Sequence, residues 1–116
     1  MPQAVTIFHN PACSTSRKAV ALLQEKDVAP NVVEYLKTGW TKPQLIELFA
    51  KAGLTPRQGL RTKGALAGEL GLLDGASDEA ILDAMVAHPV LVERPFVVTA
   101  KGAALGRPVE AILPLL

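Results

Sequence analysis

The pattern of hydrophobic and polar positions divides the first third of the chain into strand, helix and strand. A β-branched and aromatic run over residues 4–8 ends at a His-Asn-Pro turn, which predicts a buried strand. Apolar residues then recur at helical spacing until the break at residues 27–30, so a helix is predicted between them. A cap for this helix is expected among three hydroxyl residues: Ser14, Thr15 and Ser16. A second strand is predicted over residues 32–36.

Two longer helices are predicted in the middle of the chain. Thr41 is placed to cap the first, Pro43 lies in its first turn, and Gly53 closes it. Its expected apolar face consists of Leu45, Ile46, Leu48 and Phe49. The glycine-rich stretch 55–75 predicts only small helices and loops, and Ser77 then starts the second helix. The residues expected to face inward there are Ile81, Leu82, Met85 and Val86, before His88-Pro89 ends the helix.

The last part of the chain predicts a β-hairpin and a short helix. Strands over residues 96–99 and 103–105 are separated by Lys101-Gly102, and an apolar helix follows over residues 109–113. A strand–helix–strand start favours a parallel crossover, to which the hairpin adds antiparallel strands. We therefore expect an α/β fold, a small mixed sheet covered by helices, with residues 1–116 forming one domain.

Composition narrows the class of protein. Apolar residues make up 49% of the chain and charged residues 20%, which is typical of a globular protein. Twelve basic against eleven acidic residues argue against nucleic-acid binding, because phosphate contacts need a basic excess. The sequence has no long apolar run and no charged, apolar leader, so we expect no membrane span, no signal peptide and a cytoplasmic location. With one cysteine, neither an internal disulfide nor a thiol-only zinc site can form, and we expect no metal.

Cys13, the single cysteine, lies between the first strand and the first helix. Unpaired backbone amides at a helix N-terminus lower a thiol pKa and also attract anions. His9 and Arg17 add positive charge nearby, and neighbouring hydroxyl groups add donors. A lone cysteine can also be a small buried apolar residue. Its place in a polar run after a strand favours a nucleophile.

In addition to the cysteine, three arginines are candidate site residues. Arg61 follows a Gly-Leu pair, while Arg94 and Arg107 each precede a proline on either side of the predicted hairpin. A guanidinium stays charged and matches a tetrahedral oxyanion with forked donors, which an ammonium does not. Each arginine alone could be an ordinary surface side chain. Together at one thiolate they would form a site for a small, multiply charged oxyanion.

Residues 9–17, His-Asn-Pro-Ala-Cys-Ser-Thr-Ser-Arg, resemble the active-site loop of the glutaredoxin-coupled arsenate reductase family. The family's later arginine, its Glu-Arg-Pro-hydrophobic-Val-Val-Thr segment and its Gly-Arg-Pro are matched in order, at Arg61, residues 93–99 and residues 106–108. The similarity runs from Val5 to Leu113. It is closest to the short members, since the long members carry an additional C-terminal tail.

The resemblance implies a thioredoxin-like fold with a helical insertion and a cytosolic oxidoreductase. It implies a cis proline at Pro95, Cys13 as the nucleophile that forms a thiol–arsenate adduct, and arginines that hold the oxyanion. The implied oxyanion ligands are Arg61, Arg94 and Arg107, and the implied thiolate-stabilising residues are His9, Ser16 and Arg17. No bound cofactor is implied. The implied co-substrate is glutathione and the implied partner is glutaredoxin, in agreement with a chain whose resolving thiol must come from outside.

Other functions are compatible with parts of this pattern. The same fold could carry a general glutathione-dependent thiol oxidoreductase, acting on glutathionylated proteins or another oxyanion. A related family regulates transcription by binding RNA polymerase, but its members often carry a Cys-x-x-Cys switch, and here Ser16 stands three residues after Cys13. A cysteine phosphatase is disfavoured because its Cys-x5-Arg loop is not met, since Arg17 stands four residues after the cysteine.

Overall fold

The computed structural model describes residues 4–116, which divide into two compact units. The first consists of the described residues up to Thr38 together with Arg94–Leu116, and the second of Gly39–Glu93. That residues 1–116 form one domain stays a prediction. No helix within the described residues is both long enough and apolar enough to cross a membrane.

The first unit contains the sheet. Its elements are β1 (Thr6–Phe8), α1 (Ser14–Glu25), β2 (Asn31–Val33), α2 (Tyr35–Thr38), β3 (Phe96–Thr99), β4 (Gly102–Leu105) and a 3-10 helix (Val109–Leu115). The strand order is β2-β1-β3-β4. The β1–β2 pair is parallel, and the β1–β3 and β3–β4 pairs are antiparallel. The predicted mixed α/β sheet, with its parallel crossover and its hairpin, is therefore confirmed.

A hydrophobic core fixes α1 against the sheet. Ile7 of β1 and Val97 of β3 are paired in register, so their side chains point to the same face of the sheet, and both are fully buried. They pack with Leu23 of α1 and Ile112 of the last 3-10 helix, which are also fully buried. Burying each such side chain contributes about 1.5–3 kcal/mol. The core thereby fixes α1 against the sheet.

Several local predictions for this unit are wrong. The second strand ends at Val33 rather than at residue 36, because the amide of Lys37 bonds to the carbonyl of Glu34 and winds the chain into α2. The N-cap of α1 is Cys13, with extended backbone and no side-chain cap bond, whereas the three hydroxyl residues lie inside the helix. The hairpin turn also differs, since Gly102 belongs to β4 and pairs with Thr99.

The second unit is mainly helical. It contains α3 (Lys42–Ala52), α4 (Leu66–Glu69), α5 (Asp78–Ala87) and a 3-10 helix (Pro89–Leu91). The predicted caps are confirmed: Thr41 forms a capping box with Gln44, Gly53 adopts the left-handed conformation at φ +68°, and Ser77 accepts from the third amide of α5.

The small α4 agrees with the loops and short helices predicted for residues 55–75. Two predicted core residues are wrong, because Ile46 is 51% exposed and Val86 is 37% exposed. Both lie beside buried neighbours at the margin of the apolar stripe, where helical periodicity alone does not separate core from surface.

Candidate active site

Cys13 lies where the chain passes from the sheet into α1. The amide of His9 donates to the carbonyl of Val33 at 2.8 Å, which continues the β1–β2 pairing past the end of the strand. The chain then turns, and Cys13 becomes the N-cap of the 12-residue α1, its carbonyl accepting from the amide of Arg17 at 3.0 Å. This position places the thiol at a helix N-terminus, as the sequence predicts, and leaves it half-buried.

The surroundings of the thiol favour the thiolate. Burial acts to raise the pKa of Cys13, but hydrogen bonds from the Ser16 amide, the Arg94 side chain and the Thr15 amide lower it. The charge of Arg107 lowers it further. The net result is a thiol pKa below its ordinary value, so a larger share of the sulfur is nucleophilic at neutral pH.

Two of the three predicted arginines meet at the sulfur. Arg107 donates from Nη2 to Cys13 Sγ at 3.4 Å and from Nε to the carbonyl of Arg94 at 2.7 Å. Arg94 itself is 6% exposed and hydrogen-bonds the thiol. The peptide bond Arg94–Pro95 is cis, as the family resemblance implies, and Arg107–Pro108 is cis as well.

The hairpin register explains why these two arginines face each other. Phe96 is paired with Leu105, and the amide of Gly106 donates to the carbonyl of Pro95 at 2.8 Å. One residue further along each strand, Arg94 stands opposite Arg107. The sequence predicted this approach because the two Arg-Pro pairs border the hairpin.

Arg61 belongs to the second unit, where it is bound to Glu93. Its amide donates to the carbonyl of Leu91 at 2.7 Å, beside an isolated antiparallel bridge between Leu60 and Val92. Its guanidinium Nη1 lies 3.1 Å from Glu93 Oε1, with the two side chains 18% and 19% exposed. Its predicted contact with an oxyanion stays a prediction.

His9 and Ser16, on either side of Cys13 in the chain, form a hydrogen-bonded pair. His9 Nδ1 lies 2.7 Å from Ser16 Oγ, and Ser16 is fully buried. Burial lowers the pKa of His9 below its ordinary value; Glu34 partly opposes this and Arg17 adds to it, so the neutral imidazole is favoured over the charged one. His9 therefore contacts the hydroxyl of Ser16, while the amide of Ser16 reaches the sulfur.

The guanidinium of Arg17 is turned to the loop backbone. Its Nη1 donates to the carbonyl of Pro11 at 2.8 Å from an exposed position. The side chain thus braces the turn that precedes Cys13, and its predicted action on the thiolate stays a prediction.

The sequence did not single out Asn10 and Glu93, two residues that hold parts of the candidate site. Asn10 is 6% exposed and holds the turn before Cys13, while Glu93 holds Arg61. An asparagine next to a proline in a short loop is the available signal for Asn10, because its side chain can bond the amide two residues on. The signal for Glu93 is its place in the Glu-Arg-Pro segment. No group of three or more possible metal ligands occurs within residues 4–116.

Comparison with known proteins agrees with this geometry. The model of the ArsC family matches residues 8–115. "Arsenate reductase ArsI2" of Synechocystis sp. is 53% identical over 113 residues, covering 97% of this chain and 81% of that protein. "Arsenate reductase" of Neisseria meningitidis is 46% identical and covers 97% of both chains.

The same likeness holds in three dimensions. The structure titled "Arsenate reductase from Vibrio cholerae" superposes with a TM-score of 0.96 at 42% identity, covering 100% of both chains. The thioredoxin-like fold expected from the active-site loop is confirmed. A family match across nearly the whole chain, with relatives this similar in sequence and in fold, confirms the resemblance: the chain belongs to the ArsC family.

Proposed function

We propose that this protein reduces arsenate to arsenite, with Cys13 as the nucleophile. The observation that carries the proposal is the sulfur itself: its pKa is lowered, and it lies 3.4 Å from Nη2 of Arg107. Arg94 hydrogen-bonds the same thiol. A thiolate between two guanidinium groups is suited to attack a tetrahedral oxyanion whose charge those groups balance.

In the first step the Cys13 thiolate attacks arsenic. A sulfur–arsenic bond forms, and one arsenic–oxygen bond breaks, its oxygen leaving as water after protonation. Arg94 and Arg107 hold the remaining oxygens, and forked donors suit them for this because the oxygens carry the charge. We assign the same role to Arg61 on the strength of the family's sequence pattern.

In the second step an external thiol supplies the remaining electrons. Glutathione attacks the sulfur of Cys13, and the pair of electrons in the sulfur–arsenic bond passes to arsenic, which leaves as arsenite. The enzyme is left as a mixed disulfide with glutathione, which glutaredoxin cleaves by thiol–disulfide exchange. In total, two thiols become one disulfide and arsenic falls from the +5 to the +3 state. We further propose that the reaction needs no bound cofactor and takes place in the cytoplasm.

The test is arsenate-dependent oxidation of NADPH in the presence of glutathione, glutaredoxin and glutathione reductase. The wild type should consume NADPH only when arsenate is added, and omission of glutaredoxin should slow turnover. Cys13→Ser should abolish it, because a hydroxyl is a far poorer nucleophile at neutral pH. Substantial turnover in Cys13→Ser would refute the mechanism. A wild type that exchanges with glutathione mixed disulfides but does not consume arsenate would instead be a general thiol oxidoreductase.

A further inference from the structure

Asn10 makes three hydrogen bonds within the segment that carries Cys13. Its side-chain Oδ1 accepts from the amide of Ala12 at 3.0 Å, and its carbonyl accepts from the amide of Cys13 at 2.9 Å. Its own amide donates to Ser16 Oγ at 3.1 Å, and the residue is 6% exposed. One buried side chain and its backbone thus bind the loop on both sides of the nucleophile.

These bonds decide which amides reach the sulfur. The amides of Ala12 and Cys13 are directed back to Asn10, whereas the amides of Thr15 and Ser16 bond to Cys13 Sγ. The bond to Ser16 Oγ ties the first turn of α1 to the start of the loop. A change in the turn would therefore alter the position of the sulfur relative to the amides that stabilise it.

We infer that Asn10 is a positioning residue, which holds the turn before Cys13 so that the sulfur faces the backbone amides of Thr15 and Ser16. Asn10 thus acts on the reaction through Cys13. The inference extends the proposed function, but its first test requires only the thiol. Two charged groups reach the sulfur from other segments: Arg94 before β3 and Arg107 after β4. A substitution at Asn10 removes neither of these charges.

The experiment compares Asn10→Ala with Asn31→Ala, a control that removes an exposed asparagine from β2. Thiolate absorbance near 240 nm and the rate of alkylation by iodoacetamide are followed from acid to alkaline pH. In Asn10→Ala the titration midpoint should move to higher pH. Alkylation at pH values below that midpoint should slow about two- to tenfold, as expected for the loss of one neutral hydrogen bond, here the one that Asn10 Oδ1 accepts from the amide of Ala12. The control should behave as the wild type.

The conservative variant Asn10→Ser separates positioning from general damage. A serine hydroxyl can accept from the amide two residues on, more weakly than asparagine, so its titration midpoint should lie between those of the wild type and Asn10→Ala. If Asn10→Ala does not fold, Asn10→Ser decides the question: its midpoint should lie above that of the wild type, and an unchanged midpoint would overturn the inference. Raising the pH should restore arsenate turnover in the variants, because it restores the thiolate.

A folded Asn10→Ala with an unchanged thiol titration would overturn the inference and leave Asn10 a structural loop residue. So would a titration midpoint in Asn10→Ser as high as in Asn10→Ala. Failure of the proposed function gives a different result: the wild type does not reduce arsenate, although its thiol titrates with a lowered pKa. The two outcomes are distinguishable because alkylation requires no arsenate.

Discussion

Replacing Arg107 separates its predicted role, holding the oxyanion, from its contact with the thiol in the structure, which stabilises the thiolate. The guanidinium donates to Cys13 Sγ at 3.4 Å and to the carbonyl of Arg94 at 2.7 Å. In Arg107→Ala both bonds are lost, together with one positive charge beside the sulfur. Arg107→Lys keeps the charge but supplies one point donor instead of a fork.

The two roles predict effects of different size. Two unit charges about 4 Å apart in water interact by about 1 kcal/mol, and we use this value because the thiol is only half-buried. Losing that energy reduces the thiolate fraction about fivefold at pH values below the thiol pKa. Losing a donor to the oxygens of the transition state costs on the order of 10²–10³-fold in turnover. Arsenate reduction should therefore fall far more than thiol reactivity.

The assay measures two activities in one preparation of Arg107→Ala: arsenate-dependent NADPH oxidation, and exchange with a small glutathione mixed disulfide. Exchange involves no tetrahedral anion, so it should fall only with the thiolate fraction, and Arg107→Lys should restore exchange better than arsenate turnover. Lys18→Ala is the matched control, because it removes the same charge from an exposed position on α1. Equal losses in both assays would mean that Arg107 supports the thiol or the fold and does not bind an oxyanion.

Three further outcomes are expected. Because the folded-state pKa of Cys13 is lowered, the thiolate stabilises the fold fully above the unfolded pKa, and this is lost as the pH falls through the folded value. The free energy of unfolding of the wild type, relative to Cys13→Ser, should thus increase with pH up to about 9, and a constant difference in urea titrations would contradict this. Glu93→Gln removes the charge that orients Arg61 and should raise KM for arsenate up to about fivefold while leaving mixed-disulfide exchange unchanged; an unchanged KM would count against the pair. Thr41→Ala removes the capping box with Gln44 and should lower the free energy of unfolding by about 1 kcal/mol in urea, with activity retained; no loss would mean that solvent replaces the cap.

Elements with strong local signals could be predicted from the sequence. Thr41 and Gly53 mark the ends of α3 because capping and a left-handed φ depend on residues next to each other in the chain. The β-hairpin and the parallel β1–β2 pair follow from equally local patterns. The cap of α1 could not be predicted in this way. Its N-cap is a cysteine without a cap bond, and the hydroxyl of Ser16, one of the three predicted caps, is buried and hydrogen-bonded to His9 and to the amide of Asn10.

The site residues show the same division between local and distant information. Cys13 is identified by its place between a strand and a helix, and the Arg-Pro pairs by their place beside the hairpin. The atoms that Arg94 and Arg107 bind depend on a register shared by three strands, which no local pattern contains. A hairpin with Gly102 in its turn would pair different residues, and a shift of one position turns side chains to the other face of a sheet.

The register shows how a small sheet can position a thiolate and its counter-charges from segments far apart in sequence. Phe8, Phe96 and Leu105 are paired in one row across β1, β3 and β4. Since β1 and β3 are antiparallel, as are β3 and β4, the C-terminal end of β1, the N-terminal end of β3 and the C-terminal end of β4 lie at the same end of the sheet. The loop with Cys13 follows the first of these residues, Arg94 precedes the second, and Arg107 follows the third. The packed core holds the row, and the loops beyond it supply the chemistry, so the thiol is positioned against two guanidinium groups that the buried sheet itself does not contain.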